Sequence, residues 1–246
     1  MNSFEKLLEV KQAKGAGYIV LIDPDKQPID DSKQLAQKAE QEGADAIFIG
    51  GSLLFFSVFD DFVKSIKQNI NIPVIIFPGN AQQISKYADA ILFISLINSR
   101  NPDALIGQQV LGAPVIKMLN LEAISTAYML IESGRTTSAE FMSNTRPIPR
   151  DKNDIAVAHA IAAEYIGMKL IYLEAGSGAL HPVPDEMIAA VAKYVSLPII
   201  VGGGITKPEI ARQKVEAGAS FIVTGNVLEQ NLQQGRIAEF ANAVHC

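Results

Sequence analysis

A chain of 246 residues, 48% of them hydrophobic, can bury a large core, and its length suits either two small domains or one α/β barrel. With 21 Lys and Arg against 26 Asp and Glu, the net charge of −5 argues against a broad nucleic-acid surface, so any phosphate must be held by local devices. A single cysteine, Cys246, excludes an internal disulfide framework and fits a reducing compartment.

The N-terminal MNSFEKLLEVKQAKG mixes acids and bases and has no apolar core of signal-peptide length. No run approaches the ~18 apolar residues of a membrane span, so a soluble cytoplasmic protein is expected. Runs rich in β-branched residues follow at YIVLID (18–23), DAIFIG (45–50), IPVIIF (72–77), AILFIS (90–95), AYMLIE (127–132), LIYLEA (170–175), LPIIVG (197–202) and SFIVTG (220–225). They are apolar at successive positions, as parallel strands buried on both faces must be. Helical patterns lie between them at 31–43, 153–167, 184–195 and 207–218, several ending in glycine. A short third helix is expected near AQQISKYA (81–88), and APVIKMLNLEAIST (113–126) reads as an extra strand or an extended connection. The stripe Leu54, Phe55, Phe59, Phe62 and Ile66 reads as core or subunit contact. No linker divides the chain. Eight βα units predict one (β/α)8 barrel domain over residues 1–246, where an open doubly wound sheet has about five or six strands.

The catalytic face of such a barrel is built from the C-terminal ends of its strands. Asp23, Ser52, Glu132, Tyr172 and Glu174 fall at or just beyond such ends. Three glycine loops, AGSG (175–178), GGGI (202–205) and TGN (224–226), follow the last three strands. Glycine lets backbone N–H groups approach an anion closely, and the following helix adds the positive end of its dipole. Glycine serves tight turns equally well, but three loops in series on the phosphate side of a barrel favour a ligand site. On that reading Gly203→Val crowds the phosphate and weakens its binding with little loss of thermal stability. Asp23 in LIDPDK, with Ser52 from the neighbouring strand, offers oxygen ligands for Mg²⁺, which commonly keeps several waters. Glu174 beside a phosphate loop is expected to accept hydrogen bonds from ligand hydroxyls, with Tyr172 sharing that task; pairing with a nearby lysine or arginine is the alternative. His181 reads as surface, and RPIPRDK (146–152) as either a diphosphate contact or a solvated loop.

The segments LIDPDK, GADAIFIGGS (43–52), ADAILFISLINSRNP (88–102), YLEAGSGA (172–179), IIVGGGI (199–205) and VTGN (223–226) occur in this order. Together they resemble the geranylgeranylglyceryl phosphate synthases, prenyltransferases on a modified (β/α)8 barrel, over nearly the whole chain. SLINSRNP and the insertion RTTSAEFMSNTRPIP (135–149) look like the second of the family's two broad groups, which includes bacterial members. The resemblance implies that Asp23 and Ser52 hold Mg²⁺. It implies that Tyr172, Leu173, Glu174, Ala175, Gly176, Ser177 and Gly178, with Gly203, Gly204, Gly225 and Asn226, bind sn-glycerol 1-phosphate. One departure is Leu21, where some members of the other group carry a lysine. The implied reaction is attack of the glycerol 3-hydroxyl on C1 of a prenyl diphosphate, geranylgeranyl diphosphate being the expected donor, with Glu174 as base or as substrate-positioning group. The tail is expected in a groove between the barrel mouth and the regions around Leu96 and Tyr128. A homo-oligomer and a peripheral membrane contact for product release are also expected. The rivals are another phosphate-binding barrel, such as a thiamine phosphate synthase relative, and a non-catalytic barrel that binds a phosphorylated metabolite.

Overall fold

A run that is apolar at every position has no side to turn to water, and a closed barrel clad in helices satisfies all eight runs at once. The computed structural model describes residues 1–54, 58–225 and 235–245. Its strands are β1 (Gly17–Ile22), β2 (Ala46–Ile49), β3 (Val74–Ile76), β4 (Ala90–Leu96), β5 (Glu122–Leu130), β6 (Leu170–Glu174), β7 (Ile199–Gly202) and β8 (Phe221–Thr224). They pair in parallel in sequence order, and β8 returns to β1 to close the barrel. Alternate side chains divide into two cores: Ile19, Phe48, Ile75, Leu92 and Tyr172 fill the barrel, while Val20, Ile47, Ile76 and Leu173 pack outward against helices.

The helices are α1 (Ser3–Lys14), α2 (Ile29–Gln41), α3 (Phe59–Lys67), α4 (Gln108–Met118), α5 (Ser138–Ser143), α6 (Asn153–Ile166), α7 (Asp185–Tyr194), α8 (Pro208–Glu216) and α9 (Arg236–Val244). Helix α1 closes the N-terminal end, where Leu7 joins the inner core and Glu122 accepts the Ser3 and Phe4 N–H groups at 2.6 and 3.2 Å. Only the C-terminal mouth is then left to hold a ligand. Of the aromatic stripe, Phe59, Phe62 and Ile66 are buried core of α3 and Leu54 packs against it; Phe55 lies outside the described residues.

Two expectations fail in the middle of the chain. No helix forms over 81–88: the segment between β3 and β4 is a series of turns. Its amides are taken by side chains, Asn80 accepting from Gln82 N–H at 2.9 Å and Gln108 from Ala81 N–H at 2.9 Å, which competes with a helical ladder. Nor is 113–126 an extra strand. Residues 113–118 finish α4 and residues 122–126 begin β5, which runs long because it pairs with all of β4 from Ala90↔Glu122 to Leu96↔Tyr128. Pro114, Val115 and Ile116 disfavour a helix locally, but burial of Gly112 and Ile116 overrides that preference.

Candidate active site

At one side of the mouth the turns after β1 and β2 meet. The Asp23 carboxylate lies against Gly51, so closely that a Cβ there would stand 2.9 Å from Oδ1. It accepts the Asp25 N–H at 3.1 Å and has Lys26 Nζ 3.8 Å away. Burial nevertheless raises its pKa above the ordinary value, because these contacts offset only part of the desolvation. Ser52, half-buried, follows Gly51 directly. A partly desolvated carboxylate, one-fifth exposed and against the turn that carries Ser52, fits a hard cation that keeps waters and takes its remaining ligands from phosphate oxygens. Among the described residues no group of three His, Cys, Asp or Glu side chains converges.

The turn is held from behind by a residue that the sequence reading did not single out. Gln83, fully buried, donates from Nε2 to the Gly51 carbonyl at 2.9 Å and accepts the Gly79 N–H at 3.1 Å. No local pattern marks a glutamine in a turn as a brace between strands.

Across the mouth β6 ends in Tyr172 and Glu174, both facing the interior, while Leu173 and Ala175 point outward into the helix layer. The side chains of these two are therefore core, which leaves only their backbone to face a ligand. Glu174 is 6% exposed and accepts the Gly176 N–H at 2.6 Å. Burial pushes its pKa up to about 7, against the pull of that N–H and of the nearby Tyr172 hydroxyl. No lysine or arginine pairs with Glu174 among the described residues, so the ion-pair alternative fails. The Tyr172 hydroxyl is buried without a hydrogen bond of good geometry. An ionisable group and an unpartnered donor thus sit side by side.

The glycine loops surround this pair. Gly203 has φ +81°, and a Cβ there would strike Glu174 Oε1 and stand 2.6 Å from the Gly176 nitrogen. Its glycine is required by the protein's own packing, so the expectation that Gly203→Val spares thermal stability is wrong. Gly204 packs on the Pro182 backbone, and Gly176 on the Thr137 side chain. Ser177 and Gly178 are exposed at the rim, and Gly225 lies beside Leu21, an apolar residue of the inner core that brings no charge to the turn. Asn226 lies outside the described residues.

Beside the turn of Gly51 and Ser52 opens a cavity of about 310 Å³. It begins at Gly51 and Ser52, passes Phe77, Leu96 and Tyr128 inside the barrel, and reaches Phe93 and Ile116 on the outer face. The outward end is bordered by α4, from which Gln109, Gly112 and Ile116 line it. Leu96 and Tyr128, the expected neighbourhood of a groove, line it. Phe77 stacks on Tyr172 with centroids 5.3 Å apart, and Tyr128 lies 5.3 Å from Tyr172.

Other candidates fall away from the mouth. Glu132 lies two residues beyond the end of β5 and is exposed, its N–H bonded to the Ile148 carbonyl. Arg150 of RPIPRDK donates to the carbonyls of Glu132 at 3.1 Å and Pro182 at 2.8 Å, a structural clasp, and His181 is exposed.

A model of the PcrB family matches residues 8–244. A geranylgeranylglyceryl phosphate synthase of Chitinophaga pinensis is 48% identical over 236 residues, 96% of this chain and 93% of the relative. The crystal structure of (S)-3-O-geranylgeranylglyceryl phosphate synthase from Thermoplasma acidophilum, in complex with substrate sn-glycerol-1-phosphate, superimposes with a TM-score of 0.95 at 34% identity, covering 100% of this chain and 99% of that one. A thiamine phosphate pyrophosphorylase from Pyrococcus furiosus shares the fold alone, with a TM-score of 0.63 at 14% identity over 95% and 97% of the two chains.

Proposed function

The chain belongs to the PcrB family, and from that premise we propose that it is a prenyltransferase joining the 3-hydroxyl of sn-glycerol 1-phosphate to C1 of a long prenyl diphosphate, with geranylgeranyl diphosphate as donor. One observation carries the reading: an apolar cavity opens at Ser52 on the same mouth as the partly desolvated Asp23 carboxylate and the buried Glu174 carboxyl of pKa about 7 among glycine loops. A phosphate-binding barrel with a small polar substrate has no use for such a cavity, and a mere binding protein has no use for a desolvated base.

Backbone N–H groups of the 176–178, 203–204 and 225–226 loops hold the glycerol phosphate. Glu174, half ionised near neutrality, accepts the proton of the attacking hydroxyl, and the Tyr172 hydroxyl orients it. Asp23 and Ser52 would hold Mg²⁺, which when bound neutralises charge on the departing diphosphate. The apolar walls around Leu96 and Phe93 seat the tail and exclude water. No described helix is long and apolar enough to cross a membrane; on the proposed reaction the protein works in the cytoplasm and releases its product by a peripheral contact with the membrane surface. Ile106, Val110, Leu111 and Met118 are exposed on and beside α4, an apolar face suited to a homo-oligomer.

The test is a labelled-substrate assay with Mg²⁺, both glycerol phosphate enantiomers and several prenyl lengths. An ether product from sn-glycerol 1-phosphate is expected, with far less from the 3-phosphate. Chelation and Asp23→Asn should each abolish it, by about 10³-fold given the several kcal/mol that a Lewis acid supplies. Equal reaction of the enantiomers, or no ether at any length, refutes the assignment.

A further inference from the structure

The inner face of the cavity carries a cluster of aromatic rings. Leu96, Tyr128 and Tyr172 occupy one register level across β4, β5 and β6, and Glu174 stands one inward position further along β6 towards the mouth. Phe77, just beyond β3, completes the group: its ring is parallel to that of Tyr172 within 4° and lies 6.0 Å from that of Tyr128. Phe77 and Tyr128 both line the cavity, and Tyr172, fully buried, packs against both rings. Burial, and then the nearby Glu174 carboxylate, raise the pKa of the Tyr128 hydroxyl well above the ordinary value, so the ring stays a neutral phenol.

This position follows from the reaction assigned above, on which the inference rests. With the diphosphate at the Asp23 and Ser52 end and the tail in the cavity, the carbon that changes partners meets the hydroxyl at Glu174 beside Phe77, which lines the cavity with Ser52, and Tyr128, which lines it too and lies near the Glu174 carboxylate. In the transfer, the C1–O bond to diphosphate breaks and its electron pair leaves with the pyrophosphate. The glycerol oxygen forms a new bond to C1, and its proton passes to Glu174. While the first bond is largely broken and the second scarcely formed, C1 and its allylic neighbour carry positive charge. An aromatic face attracts a cation through its quadrupole, and more strongly once water is excluded. We propose that Tyr128 and Phe77 are catalytic residues whose ring faces stabilise the allylic cation formed at C1 of the prenyl donor. They act on the transition state and not on the ground state, since the substrate carbon is uncharged.

A purely structural or steric role depends on ring shape, and a cationic role depends on ring electrons. Phenylalanine and its mono-, di- and trifluorinated analogues should therefore be placed at position 128, and separately at position 77, in the full-length protein. The phenylalanine protein is the reference of each series, and the expected result is a stepwise fall in kcat from it with each fluorine, roughly tenfold across the series. KM for both substrates and the melting temperature should stay constant along it. Tyr128→Leu, which keeps bulk but removes the ring, should lower kcat at least as far as the trifluorinated variant. A competent wild type with a flat fluorine series at both positions overturns this inference alone. A wild type that makes no ether from any prenyl diphosphate overturns the assigned reaction and the inference with it.

Discussion

Asp45 and Glu174 are both carboxylates withdrawn from water, one at each end of the barrel, and their surroundings push them in opposite directions. Asp45, just ahead of β2, loses solvation on burial. Hydrogen bonds from His245 at 2.8 Å, Lys14 at 2.6 Å and the Tyr18 N–H at 2.8 Å outweigh that loss and hold its pKa below the ordinary value. Glu174, at the end of β6, has one N–H donor and a tyrosine hydroxyl nearby, too little to offset burial, and its pKa rises to about 7. The N-terminal end is a place where polar groups find their partners, and the mouth is a place where they are kept short of them. In such barrels the first arrangement serves stability and the second leaves unfilled valence for a substrate.

The contrast breaks most sharply at Glu174. Glu174→Gln keeps an acceptor for the Gly176 N–H but removes the base, and turnover should fall by ~10²-fold or more. Wild-type kcat should rise with pH through about 7 as the carboxyl ionises. Near-normal turnover of the variant removes Glu174 from that role. The same variant should gain stability. A carboxyl whose folded pKa exceeds its ordinary 4.5 supports the fold fully below that value and loses its contribution as pH rises through about 7. Above pH 7 the glutamine protein should therefore be more stable by on the order of 3 kcal/mol, and by nothing near pH 4.5. Urea melts at the two pH values measure it.

Much of this site could be read before any fold was built. Glu174 and Asp23 end apolar runs, and the end of a buried strand is the one place where the pattern itself says which way a residue faces. The glycine loops were visible for the same reason. What stayed hidden depends on contacts between elements. The missing helix over 81–88 follows from Asn80 and Gln108 taking backbone amides, and Gln108 is distant in sequence. Phe77 and Gln83 owe their places to that same turn segment. Pro114 disguised α4 as a strand because local preference and tertiary burial disagree there. Simple alternation along β6 turns the side chains of Leu173 and Ala175 into the helix layer.

Gly203 tests whether the shortage of partners at the mouth is tightly built. A valine there must accept φ +81° and displace the Glu174 carboxylate. Strain and overpacking together should lower stability by about 3 kcal/mol. Glycerol phosphate affinity, read by calorimetry, should weaken about tenfold, in keeping with the ~1.4 kcal/mol of one lost hydrogen bond. A variant that melts like the wild type would mean that the loop has room to spare, and that Glu174 is not fixed by it.

The smallest effect, and the one that isolates the other end of the barrel, belongs to Asp45→Asn. The amide matches the carboxylate in shape but carries no charge, and it turns an N–H₂ towards groups that are themselves donors. Three hydrogen bonds to one buried carboxylate are thereby weakened, and part of that loss is recovered because Lys14 is 42% exposed and can return to water. Stability at neutral pH should fall by about 2 kcal/mol, with kcat and KM unchanged because nothing at the mouth touches Asp45. The pH dependence has the sign opposite to that of Glu174. A depressed carboxyl stabilises the fold above its ordinary 3.8 and loses that contribution as pH falls through its lower folded value. The gap between wild type and Asp45→Asn should thus be widest near neutrality and close in acid, whereas the gap for Glu174→Gln opens as pH rises. If both gaps moved the same way with pH, the two ends of the barrel would not differ as their hydrogen bonds indicate, and the mouth would have no special claim to an unsatisfied carboxyl.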